Sequence, residues 1–364
     1  MSEALWYGIG GLLLFFTVST FVFSRIKTNI YPEEYEFGLD PCWYVLGIFL
    51  IASLAVYFVF PTYFDMIKTY SWVDFVLPVV LAVLLYFFHL LDVGWLTWSV
   101  TFAAALGVSF MQPDDFILFP TLSPWQDKVA VAAIITLISF GLGLLNGMAA
   151  LASIQFTAVM MTVALLAYFG IMPQLLGAMA LTYMGIMLAF LFLSWPPEKL
   201  AMNIGGFSVL GFVLGCFMLN GAAEYSEASM FIAVAYMAVE IGMVLYNRFI
   251  KSESEEYTFM YTAYYHLSNQ GEYEKEVVVS LLKLMGLNVI MAMVQTAAHD
   301  LIALPIFTAA INLWYLSILS GDTKPEELLS ISKWGIRAVK GVVQKKRGKK
   351  ETKGKRTKKK TPEE

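Results

Sequence analysis

Few residues of this chain could do chemistry, and most of them punctuate long apolar runs. Glu240 lies inside the run Met230–Tyr246. An ionisable group at such a place either marks an ion or substrate path or sits protonated or bonded to a neighbouring hydroxyl. Asp92 ends the stretch His89-Leu90-Leu91-Asp92 and offers one carboxylate, to a catalytic centre or to the membrane interface. Asn146-Gly147 reads as a turn between two helices or as a neutral oxygen donor. Trp195-Pro196-Pro197-Glu198-Lys199 closes one run and Gly205-Gly206 precedes the next. Proline cannot continue a helix and biases its predecessor away from the α region, so a helix must stop there. Non-helical backbone beside a membrane survives only where water or protein satisfies it, so this passage is a plain loop or the floor of a site. Tyr264-Tyr265-His266 could stack on a base, bond a phosphate or rest at the interface as an aromatic stretch. His299-Asp300 falls between the last two runs, at an outer interface.

The elements that must position these residues are membrane spans. Of the 364 residues, 59% are hydrophobic and 14% charged, and the mean hydropathy is +0.67. Soluble domains carry about 25% charged residues, so the composition predicts an all-α integral membrane protein. Eleven runs read as spans, several of them short: Trp6–Phe23, Cys42–Phe60, Phe75–Leu91, Leu96–Met111, Val129–Leu145, Ile154–Gly170, Leu175–Leu193, Phe207–Leu219, Met230–Tyr246, Val277–Val294 and Leu301–Leu319. The N-terminus has neither a basic leader nor a small-residue cleavage site, so its run reads as a retained span. Cys42 and Cys216, the only cysteines, lie in apolar runs and supply neither a disulfide framework nor a metal motif.

Charge is distributed unevenly. Residues 333–360 hold 14 of the 24 Lys and Arg, although the formal net charge is -4. Such a block cannot fold on itself. It reads as a disordered cytoplasmic tail that meets anionic lipid at about 1 kcal/mol per basic residue. Nucleic acid is not expected as a partner, since no folded motif or interleaved aromatic accompanies the charges. The domain reading is a transmembrane body over 1–322, a juxtamembrane segment over 323–340 and a basic tail over 341–364. An odd number of spans with a cytoplasmic C-terminus puts the N-terminus outside. Arg25, Lys27, Lys199, Arg248, Lys251 and Lys275 then fall inside, and Lys68 and Lys128 outside. The cytoplasmic membrane is the expected location. The inner loops become Arg25–Asp40, His89–Trp95, Asn146–Ser153, Trp195–Gly206 and Asn247–Glu276.

Order and spacing on those loops resemble the family of polyprenyl-phosphate N-acetylhexosamine-1-phosphate transferases, which includes the phospho-N-acetylmuramoyl-pentapeptide transferases. Its pattern G-F-L-x-x-N-x-P-P-A-K, then F-M-G-D-x-G-S-x-x-L-G, is similar to Ala189-Phe190-Leu191, Ser194-Trp195-Pro196-Pro197-Glu198-Lys199, Met202-Asn203-Ile204-Gly205-Gly206-Phe207 and Leu210-Gly211. The resemblance covers residues 128–290 best, is thin before residue 90 and is absent from the tail. It implies transfer of sugar-1-phosphate from a nucleotide sugar to a lipid phosphate, with Mg²⁺ held by carboxylates. The departures fall on those carboxylates, on two asparagines (now Phe140 and Gly143) and on a histidine cluster. Asp92 keeps one of an Asp pair; Asn146 and Ala149 replace two acids of N-x-x-N-x-x-D-G-x-D-G-L-A; Ile204 replaces the acid of the third motif; Tyr264 and Tyr265 occupy histidine positions, with His266 one residue out of register. Losing three metal ligands removes most transition-state stabilisation.

The expectation is therefore a degenerate member in which Lys199, Gly205, Gly206, Tyr264, Tyr265 and His266 bind substrate and Asp92 and Asn146 are what remains of the catalytic set. No metal or cofactor is expected, and Mg²⁺ only if activity is retained. Partners on this reading are membrane lipids, polyprenyl phosphate and a nucleotide sugar, with a second copy or an active paralogue as the protein partner. Two alternatives compete: a transporter or lipid flippase using Glu240, against which the halves show no internal repeat, and an active transferase with a metal site rebuilt from Asp92, Asn146 and Glu198. Intramembrane aspartyl proteolysis is excluded, because Gly141-Leu142-Gly143-Leu144 lacks the acid it needs.

Overall fold

A computed structural model describes residues 3–26, 41–59, 72–91, 94–112, 117–145, 150–195, 200, 202–222, 227–246, 274–297 and 303–320. Among them are twelve α-helices and no strand: α1 (Glu3–Phe23), α2 (Pro41–Val59), α3 (Trp72–Leu90), α4 (Gly94–Met111), α5 (Pro124–Leu144), α6 (Leu151–Tyr168), α7 (Gln174–Ser194), α8 (Ile204–Gly221), α9 (Glu227–Ala233), α10 (Ala235–Leu245), α11 (Glu274–Ala297) and α12 (Ala303–Ser320).

Five segments are long and apolar enough to cross a membrane unaided: Trp6–Phe23, Pro124–Leu144, Leu151–Tyr168, Gln174–Ser194 and Glu276–Ala297. The α9–α10 pair, bent by 62°, makes a sixth when taken together. The remaining five apolar helices are shorter. Each apolar run of the sequence thus carries a helix, but Met230–Tyr246 is not one continuous span: the chain breaks at Val234. Large apolar side chains face the outside, among them Phe21 (62% exposed), Phe192 (70%), Ile290 (60%) and Ile306 (69%). Surfaces of this kind are stable against lipid rather than water. The chain is an α-helical membrane protein.

In lipid, apolar residues gain little by leaving one apolar surface for another, so helices associate through close packing of small residues and a few hydrogen bonds. Two pairs show this. On α1 and α7, a Cβ on Gly8 would lie 2.8 Å from the Ala178 Cα, and one on Gly185 only 2.5 Å from the Leu12 carbonyl oxygen. On α5 and α8, a Cβ on Gly211 would lie 2.8 Å from the Ser139 Cα, and one on Gly215 3.2 Å from the Ile135 Cα. The Ser139 hydroxyl donates to the Ser208 carbonyl at 2.7 Å and staples the second pair. α7 is the most enclosed of the long spans and α1 the least, 78% against 22% buried. α6 packs on α7, α3 on α8 and α4 on α5, while α11 packs on α6 and α9 and α10 on α5 and α12.

Buried polar side chains fasten the rest. Ser53 of α2 and Tyr183 of α7 share a hydrogen bond of 2.6 Å between their hydroxyls. Asn288 of α11 and Asn312 of α12 exchange amide hydrogen bonds of 3.1 and 2.8 Å. At the start of α5, the buried Asp127 carboxylate accepts from the Leu118 and Phe119 N–H groups at 3.1 and 2.7 Å, holding the connection from α4 against the helix end.

Candidate functional site

The corner around the first turn of α8 gathers the ends of four helices. α7 stops at Ser194, and Trp195 leaves it with an extended ψ of 138°, as the following proline requires. The chain re-enters a helix at Ile204. Asn203 caps it: its side-chain oxygen accepts from the Gly206 N–H at 2.6 Å, satisfying one of the donors a helix start leaves open. Its amide nitrogen donates to the Tyr86 hydroxyl on α3 at 2.9 Å. Tyr86 in turn meets Trp43 of α2 edge to face at 4.9 Å.

Gly205 and Gly206 therefore belong to the first turn of α8, not to a loop. Their missing side chains admit the neighbours. A Cβ on Gly205 would lie 2.8 Å from the His89 Cβ in the last turn of α3, and one on Gly206 3.1 Å from the Cys42 Sγ at the start of α2. From α5, Gly143 sits so close that a Cβ would run into the Ser208 hydroxyl and come within 3.4 Å of the Ile204 carbonyl oxygen. Trp98 of α4 closes the side, edge-on to His89 at 5.8 Å and to Phe140 at 5.2 Å. The His89 Nε2 is buried and without a hydrogen-bond partner among the described residues. Ala150, the first described residue after Gly147, is held at φ 67°, a left-handed conformation that costs a residue with a Cβ about 1–2 kcal/mol.

Of the residues expected to act, Gly205 and Gly206 are in this corner, and Ile204 opens the helix there, 49% exposed. Asp92, Asn146, Lys199, Tyr264, Tyr265 and His266 lie outside the described residues. The helix ends that lead into Asp92 and Asn146, α3 and α5, both reach the corner. Glu240 sits on α10, fully buried, and accepts from the Tyr236 hydroxyl one turn earlier at 3.0 Å. Its neighbour Ile241 and Met237 crowd Gly141 of α5, where a Cβ would lie 2.7 and 2.6 Å from them. Met237 and Ile241 thus set α10, which carries Glu240, against α5 at Gly141.

His89, Tyr86 and Trp98 are members that motif spacing does not single out. Their signal was the run of aromatics with a histidine in the last turn of an apolar helix, which reads as an interfacial belt. The described side chains of the corner are amide, hydroxyl, imidazole and indole. Mg²⁺ prefers carboxylate oxygens, which these described side chains do not supply; Asp92 and Glu198 lie outside the described residues. No family model and no curated protein matches the chain. The transferase resemblance accordingly rests on the quoted residues alone.

Proposed function

We propose that this protein is a membrane-embedded relative of the sugar-1-phosphate transferases that binds a polyprenyl phosphate or a nucleotide sugar without the carboxylate cage for efficient transfer. One observation carries the reading. The segments that hold three separate motif remnants meet within van der Waals distance, Gly205 on His89 and Gly143 on Ser208 and the Ile204 carbonyl. Helix ends next to remnants scattered by chance along eleven hydrophobic runs have no reason to converge. In this reading the eleven runs are all spans, the N-terminus is outside and the basic tail is cytoplasmic, so the corner opens to the cytoplasmic face of the cell membrane. Nucleotide sugars are soluble there, and a helix start such as that of α8 favours negative charge.

Titration calorimetry of the purified protein with UDP-sugars and with a polyprenyl phosphate, with and without Mg²⁺, tests the proposal. Binding of either, weakened by Gly205→Leu, supports it. Heat from neither removes it.

A second reading draws on a different observation, the broken span with a buried acid six residues beyond the break. Interrupted membrane helices with ionisable groups are the usual substrate and ion sites of transporters. It predicts a flux into proteoliposomes that Glu240→Gln abolishes; an unchanged flux in that variant ends it.

A further inference from the structure

The break between α9 and α10 has no local cause. Sharp kinks arise at proline, at glycine or serine pairs, at π-bulges, or where an outside group enters the hydrogen-bond ladder. The residues around this one are Ile232-Ala233-Val234-Ala235-Tyr236-Met237, with no proline or glycine, and alanine is the best helix former of all. An outside group is present. Gln155 of α6, fully buried, donates its Nε2–H to the Ala233 carbonyl at 3.0 Å. In an unbroken helix that carbonyl would accept from the Met237 N–H four residues on. Here the ladder resumes only with the Ala238 N–H on the Val234 carbonyl at 3.0 Å, and the two halves meet at 62°.

We propose that Gln155 is a positioning residue for Glu240: its amide takes the Ala233 carbonyl out of the ladder, breaks the span and so sets where α10 carries the acid. The assignment of the amide is fixed by chemistry, since a flipped Gln155 would press its oxygen on a carbonyl oxygen. α9 is pinned independently, through the Ser229 hydroxyl on the Ala292 carbonyl of α11 at 3.0 Å. Straightening must therefore swing α10. Glu240 lies six residues past Val234, about 9 Å along the helix at 1.5 Å per residue. Turning that arm through 62° moves the acid by about 9 Å. The Gln155 Oε1 is also buried and has no partner among the described residues. Among the described residues the amide is held by the Ala233 carbonyl alone, so losing this one acceptor frees the wedge. This inference does not depend on whether the corner binds nucleotide sugars.

Spin labels at Glu227 and Leu245, both exposed, read the bend in the full-length protein by pulsed dipolar spectroscopy. Rise per residue gives about 27 Å between the two backbone positions for a straight segment and about 23 Å for one bent at Val234. The labelled wild type is expected at the shorter distance, and Gln155→Met, which keeps the shape and loses the donor, at the longer one. Ala235→Pro tolerates a break and not a straight helix, so adding it to Gln155→Met is expected to restore the short distance. A wild type at the long distance, or a Gln155→Met protein that stays at the short one, overturns the proposal. If Gln155→Met does not fold, Gln155→Asn, which is too short to reach Ala233, takes its place: the longer distance supports the proposal and the shorter one overturns it.

Discussion

Gly185 of α7 and Gly107 of α4 are both helix-interior glycines, and the same substitution should act on them with opposite sign. Replacing glycine by alanine inside a helix is worth about 1 kcal/mol through backbone entropy alone. At Gly107 a new Cβ meets nothing within 4 Å, so Gly107→Ala should show that gain undiminished. At Gly185 the Cβ would arrive 2.5 Å from the Leu12 carbonyl oxygen and 3.0 Å from the Leu12 Cα. Ordinary carbon–oxygen contact is about 3.3 Å, so α1 must retreat by about 0.8 Å. Backbone cannot turn aside as a side chain can, and Gly8 and Gly11 hold α1 to α7 by equally close approaches. Overpacking of this kind costs about 1–3 kcal/mol, which cancels the propensity gain and leaves Gly185→Ala destabilised by up to about 2 kcal/mol. Thermal unfolding in one detergent, followed by circular dichroism on both variants and the wild type, gives the order Gly107→Ala, wild type, Gly185→Ala. Gly185→Ala melting with or above Gly107→Ala would show that α1 does not lie backbone to backbone on α7.

Three further outcomes follow from particular contacts. Asn203→Ala removes the cap of α8 and should cost about 1 kcal/mol, visible as faster amide hydrogen exchange confined to residues 204–208. Asn288→Leu or Asn312→Leu alone leaves a buried amide facing an alkyl group and should destabilise by about 1–3 kcal/mol, whereas the double variant should cost far less than the two single losses added, measured as a double-mutant cycle in thermal melts. Ala150→Gly relieves a left-handed alanine and should raise the melting temperature, by an amount equivalent to at most about 1–2 kcal/mol.

The spans were legible because lipid demands runs of apolar residues, and the end of α7 because Pro196 forbids its continuation. The first turn of α8 was not. Met202-Asn203-Ile204-Gly205-Gly206 looks like a loop when glycine is read as a helix breaker, yet here neighbours take the space of both missing side chains: His89 over Gly205, and Met202 with Cys42 over Gly206. The break at Val234 leaves no trace in its own sequence, since its cause sits 78 residues away on α6. Glu240 announced itself as an ionisable residue in an apolar run, and Tyr236 one turn back is the hydroxyl that such a residue needs when it remains inside. The pairing of α1 with α7 was hidden because Gly8 and Gly11 carry no partner information until Ala178 and Thr182 stand against them.

That last pairing bears on how the chain is made. The first helix finds its main companion in a segment that begins at Gln174, about 150 residues after Phe23. At a synthesis rate of about 5–20 residues per second, the leading segment waits roughly 8–30 s before its groove exists. Throughout that interval Gly8 and Gly11 face acyl chains or an insertion chaperone, and a nascent protein arrested before residue 174 should be the form most readily captured by the membrane's quality-control machinery.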